Sequence, residues 1–239
     1  MLDKSAIEYI AGLGKAEVLE VDGNKFITNH ATLIKEPRVD KPFELTTLAG
    51  VTDYINSAVD VSVVGTEMTV HIVSPEEVRI YSELNDDRNR ECLVVARAIL
   101  PEFAFGRFHD SESFIIELLS KFENNIDRAK ILKLVGNIKE DHVKNTGDNG
   151  ISQTVTVKAG IATVEDVEVP NPVTLAPYRS FPEVPQPESS FIFRLKDGPS
   201  AALFNAGGTG WRIEAMREIK EYLNVSLSEE SKIQVKIIM

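Results

Sequence analysis

Hydrophobic positions recur along this chain with two periods, and the switches between them mark its elements. After Thr46-Thr47, the residues Leu48, Val51, Tyr54, Ile55 and Val59 repeat every three or four places. That spacing predicts an amphipathic helix capped by a threonine hydroxyl. A period of two then takes over in residues 68–73 and 78–82, joined by Ser74-Pro75-Glu76-Glu77, and in residues 92–100, halted by Pro101. These predict three strands of a small antiparallel meander. Behind Asp110 or Ser111, the residues Phe114, Ile115, Leu118, Leu119 and Phe122 predict a helix. Ile131, Leu132, Leu134 and Val135, within residues 126–138, predict its antiparallel neighbour.

The two ends carry the same kinds of signal. Asp3 or Ser5 caps a short helix through Ile10 that Gly12 and Gly14 should stop. Residues 16–21 and 25–28 flank Asp22-Gly23 as a hairpin, because that pair accepts the positive φ a tight hairpin turn requires. A connector runs between Pro37 and Pro42. Near the other end, residues 191–195 and 201–204 flank Lys196-Asp197-Gly198-Pro199 as a second hairpin. A helix over 211–223 follows, with Ile213, Met216, Ile219, Lys220 and Leu223 on one side, and residues 232–238 alternate as a closing strand.

Between these parts the pattern changes. A polar turn run from Lys144 to Gly150 opens into strict alternation over 151–157. After Gly160 come two more β-like pieces and the prolines Pro170, Pro172, Pro177, Pro182, Pro185 and Pro187. The expectation is an α+β fold, helices laid on mostly antiparallel sheet, with an extended β and proline-rich excursion. Residues 1–145 would form the body, 146–190 would project from it, and 191–239 would complete it as β-β-α-β.

The chain has 239 residues, 43% of them hydrophobic, enough for one substantial core or two small ones. Its 37 acidic and 26 basic residues give a formal charge of -11, and the excess is uneven. Within 146–190 only Lys158 and Arg179 oppose Asp148, Glu165, Asp166, Glu168, Glu183 and Glu188. Binding a nucleic-acid backbone needs clustered Lys and Arg, so this balance argues against it and favours basic protein partners. Cys92 is the only cysteine, which excludes an intrachain disulfide, and its place before the apolar residues 93–96 reads as a core thiol. No apolar run approaches the roughly 20 residues that cross a bilayer, and the first five residues lack a signal-peptide pattern. A cytoplasmic protein without a membrane partner is expected.

Several short motifs occur together: Leu45-Thr46-Thr47-Leu48-Ala49-Gly50 into a helix, Phe108-His109-Asp110 with Phe114, then the β excursion, Phe193-Arg194-Leu195, and the closing residues 211–238. Taken together they resemble the YfdQ-like family of phage and prophage proteins, whose function is not established. The resemblance implies a phage-encoded accessory protein in the cytoplasm of an infected bacterium, and it transfers no catalytic residue. The strip from Pro170 to Pro187 and the glycine-rich loop at 207 depart from the family pattern.

Candidate chemistry is sparse. Gly207, Gly208, Thr209 and Gly210 stand immediately before a helix, where backbone N–H groups and the helix dipole can hold a phosphate, with Arg212 as a supplement. No Lys-Ser/Thr pair follows, however, and Thr209 also reads as an ordinary helix cap. His30, His71, His109 and His142 lie at none of the local spacings of common metal sites. His109-Asp110-Ser111 cannot orient as a triad while adjacent in sequence. The acid pairs Glu76-Glu77, Asp86-Asp87 and Glu229-Glu230 fall in turns or loop margins. Arg128, Lys130, Lys133 and Lys139 around one helix are the one basic cluster, and would serve a DNA recombination-associated role.

The alternating segment makes the strongest positive case. A strand through Ile151, Thr154, Val155, Thr156 and Val157, continued near Ile161, would have one adhesive face and unpaired edges, so it must pack on its own body or on another chain. The expectation is therefore a non-enzymatic protein without a cofactor, a homo-oligomer or a binder of a host protein, acting in counter-defence. The alternatives are a binder of a small phosphate-bearing ligand such as a nucleotide signal, the DNA-associated role, and last a hydrolase.

Overall fold

The computed structural model describes residues 3–14, 16–27, 32–34, 39, 41–85, 87–137, 153–159, 163–196, 200–227 and 233–239. The chain divides into two compact units, Met1–Asp40 and Lys41–Met239. The hydrophobic pattern placed boundaries at 145 and 190 instead.

In the first unit, helix α1 (Lys4–Leu13) begins at Asp3, whose carboxylate accepts the Ala6 N–H at 2.7 Å. It runs through Gly12 and ends only at Gly14, since one helical glycine costs about 1 kcal/mol and does not by itself stop a helix. Strands β1 (Val18–Val21) and β2 (Asn24–Ile27) pair in antiparallel around Asp22 and Gly23, at φ of 50° and 77°. This is the left-handed turn the sequence predicts. Strand β3 (Thr32–Ile34) adds to β2, an addition the sequence pattern did not signal.

The second unit opens with β4 (Phe43–Leu45), α2 (Leu48–Ser57) and α3 (Val61–Val64), then the meander β5 (Glu67–Ser74), β6 (Glu77–Ser82) and β7 (Cys92–Arg97). A two-residue β8 (His109–Asp110) leads into α4 (Ser111–Lys121) and α5 (Ile126–Asn137). The hairpin β9 (Gln153–Ala159) and β10 (Thr163–Val169) follows, then β11 (Val173–Leu175), β12 (Ser189–Lys196) and β13 (Ser200–Asn205). Helix α6 (Trp211–Ser226) and β14 (Gln234–Ile238) close the chain. The class is α+β, with mostly antiparallel sheets as expected.

Five strands form one sheet in the order β14-β5-β6-β7-β4. Its centre is the predicted antiparallel meander, whereas both edges are parallel, β14 beside β5 and β4 beside β7. Alternation along β5 and β6 buries Met68, Val70, Ile72, Val78 and Ile80. Leu48, Val51 and Ile55 of α2 and Ala215, Ile219 and Leu223 of α6 are buried on the two helices that contact this sheet. Thr47 caps α2 by accepting the Gly50 N–H at 3.1 Å. That helix ends at Ala58, so Val59 falls outside it and is exposed. On α6 the predicted side is the buried one through Ile219 and Leu223, with Met216 and Lys220 half-buried, but in the first turn Ala215 takes the buried position and Ile213 is exposed.

A second sheet, β11-β12-β13-β8, carries a separate core. Phe114 and Leu118 of α4, Phe122 just after it, and Ile131, Leu134 and Val135 of α5 cluster there with Val173, Leu175, Phe191, Phe193 and Leu203. The aromatic rings meet edge-to-face or stacked: Phe103 lies 5.1 Å from Phe122, and Phe105 lies 5.2 Å from Phe191. Leu119 stays exposed, so the apolar face of α4 is narrower than its composition suggests.

Candidate interaction site

The predicted excursion resolves into two different things. Residues 153–159 and 163–169 pair as a seven-pair antiparallel hairpin, whereas the proline strip that follows is built into the body. Val173, Leu175, Ala176, Phe181 and Val184 of that strip are buried, and so are Ser180 and Gln186. Six prolines disguise this as a strap, yet the apolar residues between them are what the fold uses.

The strip also reaches across the unit. Its Tyr178 N–H donates to the Lys121 carbonyl at 2.9 Å, at the end of α4. The Ser180 hydroxyl donates to the Pro75 carbonyl at 2.9 Å, in the β5–β6 turn. Glu183 accepts the Ala49 N–H at 3.2 Å, in the first turn of α2, where the helix dipole favours an acid. The Arg179 guanidinium stacks over the Trp211 ring, 3.9 Å from its centroid, at the start of α6. Arg179 also donates to the Pro187 carbonyl at 2.7 Å and to the Ser189 hydroxyl at 2.5 Å. Burial draws this guanidinium down to about 10, with Glu214 opposing the shift, so it is still a cation at neutral pH.

The hairpin is organised differently. The two-stranded β9–β10 sheet pairs with no other described strand, and helix α5 contacts β9. Thr154, Val155, Thr156 and Val157 of β9 stand opposite Glu168, Val167, Asp166 and Glu165 of β10. Ile151 and Ile161 lie outside the described residues. Val169, the last residue of β10, is buried in the second core and anchors that strand to the body.

At the head of α6, Gly207, Gly208, Thr209, Gly210 and Arg212 are all exposed. Gly207 sits against β12, where an added Cβ would come within 3.0 Å of the Ser190 nitrogen, and Gly208 has φ of 65°. Glycine is thus required at both positions by the chain path alone. Gly210, not Thr209, takes the cap position, with no side-chain hydrogen bond to the helix. The N–H groups of Arg212 and Ile213 donate to the Thr209 and Gly210 carbonyls at 3.1 Å, which turns donors of the first turn inward. The Arg212 guanidinium lies 5.5 Å from the Trp211 centroid.

The remaining candidates are held by structure. Asp110 caps α4 by accepting the Ser113 N–H at 2.9 Å, so it does not orient a histidine. The His109 ring stacks on Phe103 and places Nδ1 3.8 Å from Glu117 Oε2, on the helix turn above. Glu117 also pairs with Lys121 at 3.3 Å, an i,i+4 pair whose spacing is legible in the sequence. Cys92 is only half-buried, and burial holds its thiol above the usual range. Glu77 pairs with Arg79 and, at 2.8 Å, with Arg97. Partial burial pushes its carboxyl up, but those hydrogen bonds outweigh it and leave the group below the usual range.

In the basic cluster on α5, Arg128 is buried, donating to the carbonyls of Phe122 at 2.9 Å and Leu119 at 3.2 Å, and Lys130 pairs with Asp127. Two of the cations are therefore engaged within the protein. Asp86, Lys139, His30, His142, Glu229 and Glu230 lie outside the described residues. Among those described, no three His, Cys, Asp or Glu gather as a metal site, and no helix is long and apolar enough to cross a membrane. Set against protein-family models, curated proteins and solved structures, the chain matches none of them.

Proposed function

We propose that the protein acts by contact and not by catalysis, with the β9–β10 hairpin as the element that meets a partner. The observation that carries this reading is the isolation of the hairpin: seven register pairs long, it joins no further described strand, and so offers the edges of both its strands. A two-stranded sheet is marginal in water, and a strand from another chain completes it at little cost in order. The YfdQ-like resemblance supports the setting, an infected bacterium, in which the partner is a host protein or a second copy. The anchoring of Val169 and the contact with α5 support a hairpin held at its base.

Removing residues 147–168 and joining the ends with a short glycine-serine linker leaves Val169 in place. The shortened chain should melt within about 5 °C of the parent, because large loop changes cost little in closure entropy. It should also lose the proteins that the parent captures from a bacterial lysate. Identical capture by the two chains would end this reading.

A further inference from the structure

We infer that the first unit is a pairing module, whose partner is the same unit of a second copy joined edge to edge through β1. Among the described side chains of Met1–Asp40 none is buried. A unit of this size has little core to draw on, and below about 40 residues disulfides, metals or association usually supply what is missing. It contains no cysteine. Its apolar residues are nevertheless ordered in stripes. Ile7, Ile10 and Leu13 align on α1, which has no buried residue, and Val18, Leu19 and Val21 are three of the four residues of β1. All six side chains are at least half exposed.

The edge itself points to the occupant. β1 is the outer strand of the order β1-β2-β3, and on its outer side it pairs with no described strand. Exposed edges are normally blunted by brevity, lysine or proline. Outside the β9–β10 hairpin, already proposed as a contact element, the other described edges follow that rule: β14 carries Lys236, β3, β4 and β11 have three residues, and β8 has two. β1 has no lysine or proline, and its one charge is Glu20.

Two antiparallel copies crossing at Leu19 would set Leu19 opposite Leu19, Val18 opposite Glu20, and Glu17 opposite Val21. No like charges then face each other, and the Leu19 and Val21 side chains of both copies share one face. The α1 polar side, where Lys4 pairs with Glu8 at 3.8 Å, carries no cationic excess that would suit an anionic membrane instead.

The test uses the full chain. Light scattering behind a sizing column at about 10 and 100 µM should give twice the chain mass of 26.5 kDa. Leu19→Lys, which sets two cations across the two-fold axis without removing a buried group, should weaken the dimer at least ten-fold. Ile99→Lys, at an exposed apolar position in the other unit, should leave it intact. In a Cys92→Ser background, Leu19→Cys should cross-link to a covalent dimer with a short bis-maleimide, whereas Lys25→Cys on β2 should not. A monomer at both concentrations overturns the inference, and so does a dimer that survives Leu19→Lys without the Leu19→Cys cross-link. Loss of the dimer on removing residues 147–168, with Leu19→Lys silent, would assign assembly to the hairpin instead.

Discussion

Gln186 shows how much one polar side chain can organise. Its Oε1 accepts the N–H groups of Arg179 at 2.9 Å and Ser180 at 3.0 Å, while Nε2 donates to the carbonyls of Phe181 at 3.0 Å and Val184 at 3.2 Å. The amide, buried with its residue only 8% exposed, thus closes the loop from Arg179 to Val184 from inside. Gln186→Leu has nearly the same shape but takes this partner from two N–H donors and from the Val184 carbonyl, while the Phe181 carbonyl keeps the Val184 N–H at 3.3 Å, and each unpaired buried group costs about 1–3 kcal/mol. Urea titration should show a loss of at least about 3 kcal/mol, with an unchanged dependence on denaturant. A loss under about 1 kcal/mol would mean that the loop closes without the amide. Nothing in the sequence could reveal this role, since a glutamine between two prolines carries no periodic signal. The same holds for Arg128: on a helix face it reads as a surface cation, and only the fold shows it capping the carbonyls at the end of α4.

Among elements, legibility followed length and local chemistry. Asp22-Gly23, Thr47 and the alternation of β5 and β6 carry their own physical signals, and each led to the right element. Strands β4, β8 and β11 have two or three residues, too few for any period, and exist because a longer neighbour offers them an edge. β11 has in addition an unusual outer side. Asn125 donates to the Thr174 carbonyl at 2.9 Å and Asp127 accepts the Thr174 N–H at 2.9 Å, so the first turn of α5 substitutes for a missing strand. That N–H, then Lys130, holds the Asp127 carboxyl below its ordinary 3.8. A lowered value in the folded chain means that the unfolded chain binds more protons in acid. The stabilisation is therefore complete above the ordinary value and is lost as the pH falls through the folded one. The urea midpoint should drop between about pH 5 and pH 2.5, and Asp127→Asn should remove part of that drop while lowering the midpoint at pH 7. Parallel pH profiles for parent and variant would show that Asp127 contributes no charge-dependent stability.

At the scale of the larger unit, the question is why two sheets with separate cores should fold as one body. Their strands do not pair, and the sequence gives each its own helices: α2 and α6 with the five-stranded sheet, α4 and α5 with the four-stranded one. The strip over residues 176–188 supplies the coupling, since it touches the end of α4, the β5–β6 turn, the first turn of α2 and the start of α6. Phe181, fully buried between Ser180 and the exposed Pro182, is its apolar anchor. Truncating a buried phenylalanine costs about 3–5 kcal/mol, through both lost transfer energy and the cavity left behind. If the strip couples the cores, that cost falls on both together. Trp211, the only tryptophan, reports on the α6 end through its stack with Arg179, while far-ultraviolet dichroism reports on all helices and strands at once. In the parent the two signals should trace one urea transition, and in Phe181→Ala both should move to lower urea by the same amount. A Trp211 transition that moves while the dichroism stays would show the five-stranded half unfolding by itself. The strip would then be a cover on one core and not the coupling between two.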